Sequence, residues 1–193
     1  MGKKIILLAL IIAPVLGFSQ DDETYGGKGT VRALGTIAPG KLFSQDLNTI
    51  YIHGNLEYYL EDEIGVKGDG YWFKGTNPAD STLLSNHSLF FGPTYHFGKG
   101  NLDPFVSFQP GMNFTKMTLE EPSDSSYYQT TTEAVPILSL EAGLNYYISP
   151  LFNFSFSMRY LIGTFFSTAP LPIKMNELRF SFGLGFNFGL LKQ

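Results

Sequence analysis

Cysteine is absent from the chain, which excludes a disulfide framework, a thiolate zinc site and a lipid anchor on a leading cysteine. Long apolar runs are nearly absent too. The one extended run, residues 5–16, follows Lys3 and Lys4 and is broken by Pro14, and Gly17 and Ser19 place small residues three and one before Gln20. That arrangement predicts an export signal over residues 1–19, cleaved ahead of Gln20, and not a spanning helix. If the remainder enters a membrane, it must do so as strands. Charge is scarce, at 16% of residues. Without Lys3 and Lys4, 11 basic residues face 17 acidic ones, a net charge of −6 (11 − 17) with neutral histidines, so no nucleic-acid partner is expected. No histidine pair has helical metal-ligand spacing, and the acidic loop around Glu120, Glu121 and Asp124 matches no calcium-binding pattern. Neither a metal nor another cofactor is expected.

What the chain has instead is aromatic residues and glycine, with 18 Phe, 11 Tyr and 21 Gly. They are arranged with a period of two. In the last strand Leu178, Phe180, Phe182, Leu184, Phe186 and Phe188 alternate with Arg179, Ser181, Gly183, Gly185 and Asn187, so one face is apolar and the other polar. Phe152, Phe154, Phe156, Met158, Tyr160 and Ile162 alternate likewise with Asn153, Ser155, Ser157, Arg159 and Leu161. About eight such strands are expected, at 29–37, 49–60, 64–74, 88–97, 103–116, 134–148, 152–162 and 175–188, each near the ten residues that a bilayer requires. The connections alternate between tight turns (61–63, 98–101, 149–151) and long loops (38–48, 75–87, 117–133, 163–174). This predicts an all-β chain folded as an eight-stranded antiparallel up-and-down transmembrane β-barrel over residues 20–193, its short turns on one side of the membrane and its loops on the other. Trp72, Phe73, Phe165 and Phe166 near the loops and Tyr58, Tyr95, Phe97 and Tyr146 near the turns are expected to form two aromatic girdles.

The apolar stripes carry no mid-strand charge, which is expected of surfaces facing hydrocarbon, where a midplane charge costs roughly 2–4 kcal/mol. Arg32, Lys67, Arg159 and Arg179, with Glu57, Asp69, Glu141 and Glu177, fall on the opposite face. A narrow barrel is filled by side chains, so these eight are expected to pair as an ionic plug in the lumen. A soluble ligand-binding barrel would show the inverse pattern. Gly92-Pro93 and Pro110-Gly111 lie mid-strand and opposite each other. Since proline removes a ladder donor, they predict a local gap or bulge in the wall.

The C-terminal strand carries a polar residue, a spacer, glycine, two spacers and two aromatics separated by one residue, namely Ser181, Gly183, Phe186 and Phe188. With this assembly signal the chain resembles the small outer-membrane β-barrels of the OmpA and OmpX type, as in Bacteroidota, over essentially all of residues 20–193. The resemblance implies insertion into a bacterial outer membrane by the barrel assembly machinery after Sec-type export. It implies no single task. The reading favoured is a monomeric structural or surface-interaction protein that contacts outer-membrane lipid through its wall and an extracellular protein or glycan through its loops. The β-prone run 127–132 would extend the fifth and sixth strands beyond the membrane as a hairpin whose edge recruits a partner. Two alternatives are a lipid-modifying enzyme with lateral lipid access near Pro93 and Pro110, and a small-solute channel. No catalytic residues are assigned. His53 and His96 are expected in the polar lumen, and His87 and Ser88, with Asp80 nearby, point to opposite faces and so do not form a hydrolase pair.

Overall fold

The computed structural model describes residues 25–77, 82–98, 100–120, 127–166 and 172–189. The expected export signal at 1–19, Asp80 and most of the acidic loop lie outside these residues. Ten strands follow in order: β1 (Thr30–Leu42), β2 (Leu47–Tyr59), β3 (Ile64–Thr76), β4 (Leu83–His96), β5 (Leu102–Glu120), β6 (Tyr127–Gln129), β7 (Glu133–Ser149), β8 (Phe152–Phe165), β9 (Ile173–Lys174) and β10 (Glu177–Gly189). Eight of them make the wall. Each pairs antiparallel with its chain neighbour, and β10 pairs with both β8 and β1, closing the sheet into an eight-stranded antiparallel barrel with no free edge. The two short strands are appendages: β6 adds to the outer end of β5 and β9 to that of β8.

Side chains alternate along the wall strands, apart from register shifts near Ile50, Leu83 and Tyr147, and the outward set is apolar. Phe182, Phe156, Leu140, Ile52 and Phe91 are each more than half exposed. On the eight wall strands the outward positions carry no charge until Lys41, Lys74 and Lys116 at the loop end. An apolar surface that wraps the whole molecule is far larger than any patch tolerated in water. The wall is therefore a surface for hydrocarbon, and the barrel spans a membrane. Tyr58, Tyr95, Phe97 and Tyr146 ring the turn end, each more than a third exposed.

Several expectations need correction. Residues 38–48 are not a long loop. β1 runs on to Leu42 and returns through a three-residue 3-10 turn, with Asp46 at φ 56° closing it. Pro39 faces outward, and the ladder to β10 lapses at Ala38 and Pro39 while that to β2 continues. Only one of the two seams thus loses a donor. β4 begins at Leu83, not at 88, because a register shift between Leu83 and Ser85 turns Leu83 inward. Phe73 and Phe165 do not belong to a girdle: Phe165 is fully buried in an apolar core, and Phe73 is half-buried against that core. Their odd numbers put them in phase with the lumen residues of their strands, and strand phase prevails over aromatic preference for an interface.

Candidate functional site

The lumen is stacked in three polar layers under an apolar cap, set by successive inward positions of each strand. At the turn end Arg32 pairs with Glu57. His96, the last residue of β4, reaches Glu57 through Nε2 at 2.9 Å and Asp103 through Nδ1 at 2.8 Å. Both ring nitrogens must donate for both bonds to form, so this geometry belongs to the imidazolium. Tyr59 and Tyr147 meet hydroxyl to hydroxyl at 3.2 Å below, and Tyr25 stacks on Tyr147 across the mouth.

In the middle layer Lys67 donates to Glu141 at 2.5 Å, and Arg159 reaches Glu141 at 2.6 Å and Asp69 at 2.9 Å. His53 lies between Thr36 and Asp69, 2.8 Å from each. With Nδ1 accepting from the Thr36 hydroxyl and Nε2–H donating to Asp69, this ring is satisfied when neutral. Gln109 accepts from Arg159 at 2.6 Å and donates to the Lys67 carbonyl at 2.9 Å. In the third layer Arg179 holds Glu177 at 2.7 Å with its guanidinium 3.9 Å from the centre of the Tyr51 ring. Thr49 and Tyr51 donate to the same carboxylate.

All eight charged residues expected in the lumen are buried there, none more than 3% exposed. Asp103 joins them, making five carboxylates against four cations, and His96 in its charged form brings the two sets level. Asp103 was legible by phase, since it lies in step with Phe105, Ser107 and Gln109 on the inward face of β5. Buried ions that lack partners cost several kcal/mol each, so balance within the lumen is a condition of folding. The plug is not polar throughout, however. Toward the loops Leu42, Leu83, Met117, Val135, Phe165 and Met175 close the barrel as an apolar core.

The four wall residues Gly92, Pro93, Pro110 and Gly111 sit beside an interruption. β4 pairs with β5 up to Phe90↔Gly111 and resumes at Thr94↔Ser107 in the same register, leaving Phe91–Pro93 without ladder partners on β5. Ser107 donates across the interruption to the Pro93 carbonyl at 3.1 Å, and fully buried Gln109 stands behind it. His87 accepts from the Phe73 amide at 3.2 Å and faces outward, whereas Ser88 faces the lumen and donates to Asn113. Among the described residues no group of three or more histidine, aspartate or glutamate side chains is arranged to hold a metal ion. Ser181 is buried on the inner face of β10, and Phe186 and Phe188 face outward, Phe186 with its ring 4.9 Å from that of Phe152.

No protein-family model matches this sequence, and no curated protein does. Solved structures do. The outer-membrane protein OprG of Pseudomonas aeruginosa superimposes with a TM-score of 0.62 at 12% identity, and Neisserial surface protein A with 0.61 at 16%, each comparison covering 86% of this chain and 99% of the other. The N-terminal β-barrel domain of Pseudomonas aeruginosa OprF gives 0.57 at 20% identity over 84% of this chain and 99% of that domain. At such identities the likeness is one of fold, and the fold is the eight-stranded barrel of small outer-membrane proteins.

Proposed function

We propose that this protein is an integral barrel of a bacterial outer membrane, exported and processed ahead of Gln20, whose task is structural or is carried out by its outer loops on an extracellular protein or glycan. The observation that carries this reading is a lumen filled with buried, mutually paired side chains under an apolar cluster, combined with a two-stranded ribbon projecting beyond the wall. β5 is 19 residues long. Its last residues, Thr118–Glu120, no longer pair with β7 but with β6, and Tyr127 on that ribbon is three-quarters exposed. Thr130 anchors the base, with its amide donating to the Met117 carbonyl and its hydroxyl accepting from the Met117 amide. Among the described residues β6 pairs only with β5, so its other edge is open for strand addition. Deletion of residues 121–131 is expected to leave a folded, heat-modifiable barrel that no longer binds arrays of matrix proteins and glycans when displayed on cells. Unchanged binding would refute the ribbon's role.

The interruption at Phe91–Pro93 supports a lateral entrance for lipid, but the groups behind it are already engaged: Ser107 donates to the Pro93 carbonyl, Gln109 is bonded to Arg159 and the Lys67 carbonyl, and Glu141, opposite Ser107, is held by Lys67 and Arg159. We therefore expect no phospholipid turnover by the purified monomer, and turnover would reinstate the enzyme. The three ionic layers likewise argue against a channel, and planar bilayers should show no conductance steps. Insertion through Ser181, Gly183, Phe186 and Phe188 predicts that Phe188→Ala lowers the amount assembled in cells while refolding into vesicles proceeds.

A further inference from the structure

β3 and β4 pair only as far as Tyr71↔Ser88. Beyond that point β3 stays with β2 and β4 with β5, and the two strands splay at the loop end of the wall. The Phe73 amide is satisfied by the His87 ring instead of by β4's backbone. On the membrane-facing side this opening is a groove of about 300 Å³ lined by Tyr71, Trp72, His87, Ser88, Leu89 and Phe114. Gly70 deepens it, since an added Cβ would come 3.1 Å from the Trp72 ring and 3.6 Å from Leu89.

Directly above the groove the outward face turns basic. Lys74 follows Trp72 on β3, and Lys116 follows Phe114 on β5, level with Ser85 of β4. One strand, β4, lies between theirs. Among the described residues neither lysine makes an ion pair, whereas Lys28 and Lys41 each hold a carboxylate. With Nδ1 occupied by Phe73, a neutral His87 keeps its proton on Nε2 as a donor beside the same opening. An apolar slot in the hydrocarbon zone with two cations unpaired among the described residues, where headgroups begin, is complementary to one kind of molecule.

We propose that this groove binds a single lipid with a phosphorylated, anionic headgroup, its acyl chain against Trp72, Leu89 and Phe114 and its phosphate between Lys74 and Lys116. The proposal rests on the barrel lying in a bilayer and adds a specific lipid site to it.

Trp72 is the sole tryptophan and reports from inside the groove. The protein is refolded into phosphatidylcholine vesicles containing a fixed fraction of brominated-chain phosphatidylglycerol or brominated-chain phosphatidylcholine, and Trp72 quenching is compared. Each lysine near an anionic headgroup favours it about fivefold, so the anionic lipid should quench with a five- to twenty-five-fold higher apparent affinity. The Lys74→Gln, Lys116→Gln double variant should reduce that ratio to about one, as should 0.5 M salt on the unaltered protein, while Lys28→Gln at the other end should leave it unchanged. Equal quenching by both lipids, or a preference that survives the double variant, would overturn the site. Quenching by neither lipid would instead overturn the membrane placement itself.

Discussion

Replacing Arg159 with methionine tests whether the lumen charges hold one another in place. Arg159 is fully buried and contacts Asp69, Glu141, Gln109 and Ser139, and its guanidinium lies 4.6 Å from the centre of the Phe90 ring. Methionine fills much of the same space but leaves Asp69 and Glu141 with Lys67 as their one full positive charge in that layer. Breaking a buried pair by removing one partner costs about 3–5 kcal/mol, and that range is expected here. Glu141→Gln in the same chain removes the surplus negative charge, leaving Lys67 opposite Asp69, so the double variant should be more stable than the sum of the two single losses by about 2 kcal/mol or more. Guanidinium unfolding from phospholipid vesicles, followed through Trp72, measures each corner of the cycle. Strict additivity, or a loss below about 1 kcal/mol for Arg159→Met alone, would refute an electrostatically coupled plug.

Three further outcomes follow from the packing and the outer turns. Phe165→Ala should cost about 3–5 kcal/mol by opening the apolar cap, whereas Phe166→Ala, on a side chain 72% exposed, should cost much less in the same unfolding assay. An added Cβ at Gly143 would lie 2.5 Å from the Phe105 ring and 2.7 Å from the Phe156 carbonyl, while at Gly35 it meets nothing within 4 Å. Gly143→Ala should therefore destabilise by about 1–3 kcal/mol and Gly35→Ala should be neutral or stabilising by up to about 1 kcal/mol. In the β1–β2 turn the hydrogen bond and the charge of Lys41, 2.6 Å from the Asp46 carboxylate, hold it below the usual aspartate range. A lowered carboxylate adds stability above its unfolded value and loses it as pH falls through its folded value, so NMR titration should place Asp46 low and Lys41→Gln should return it upward.

The closed barrel was readable because the wall strands repeat a period of two, and that period also assigns Arg159 and Leu161 of β8 to the same enclosed face. Strand limits were harder to read where propensity and register disagree. Proline and glycine at Pro39 and Gly40 read as a loop, yet the chain continues as wall because the missing amide falls on a single ladder. The phase slip near Leu83 has no signature in composition, since nothing in the sequence announces a bulge. Asp103 follows from phase as the first residue of its expected strand, 103–116. The splay between β3 and β4 was beyond reach because it depends on where two ladders stop pairing, a property of neither strand alone.

The central claim concerns which medium touches the phenylalanine faces. Because the chain has no cysteine, single cysteines can be introduced at each position from 152 to 162, nitroxide-labelled, and their collisions with oxygen and with a water-soluble nickel chelate compared in vesicles. Even positions should be oxygen-accessible and chelate-excluded, most strongly at Phe156 and Met158, with odd positions shielded from both. Chelate access at the even positions equal to that of a labelled loop residue would contradict the account.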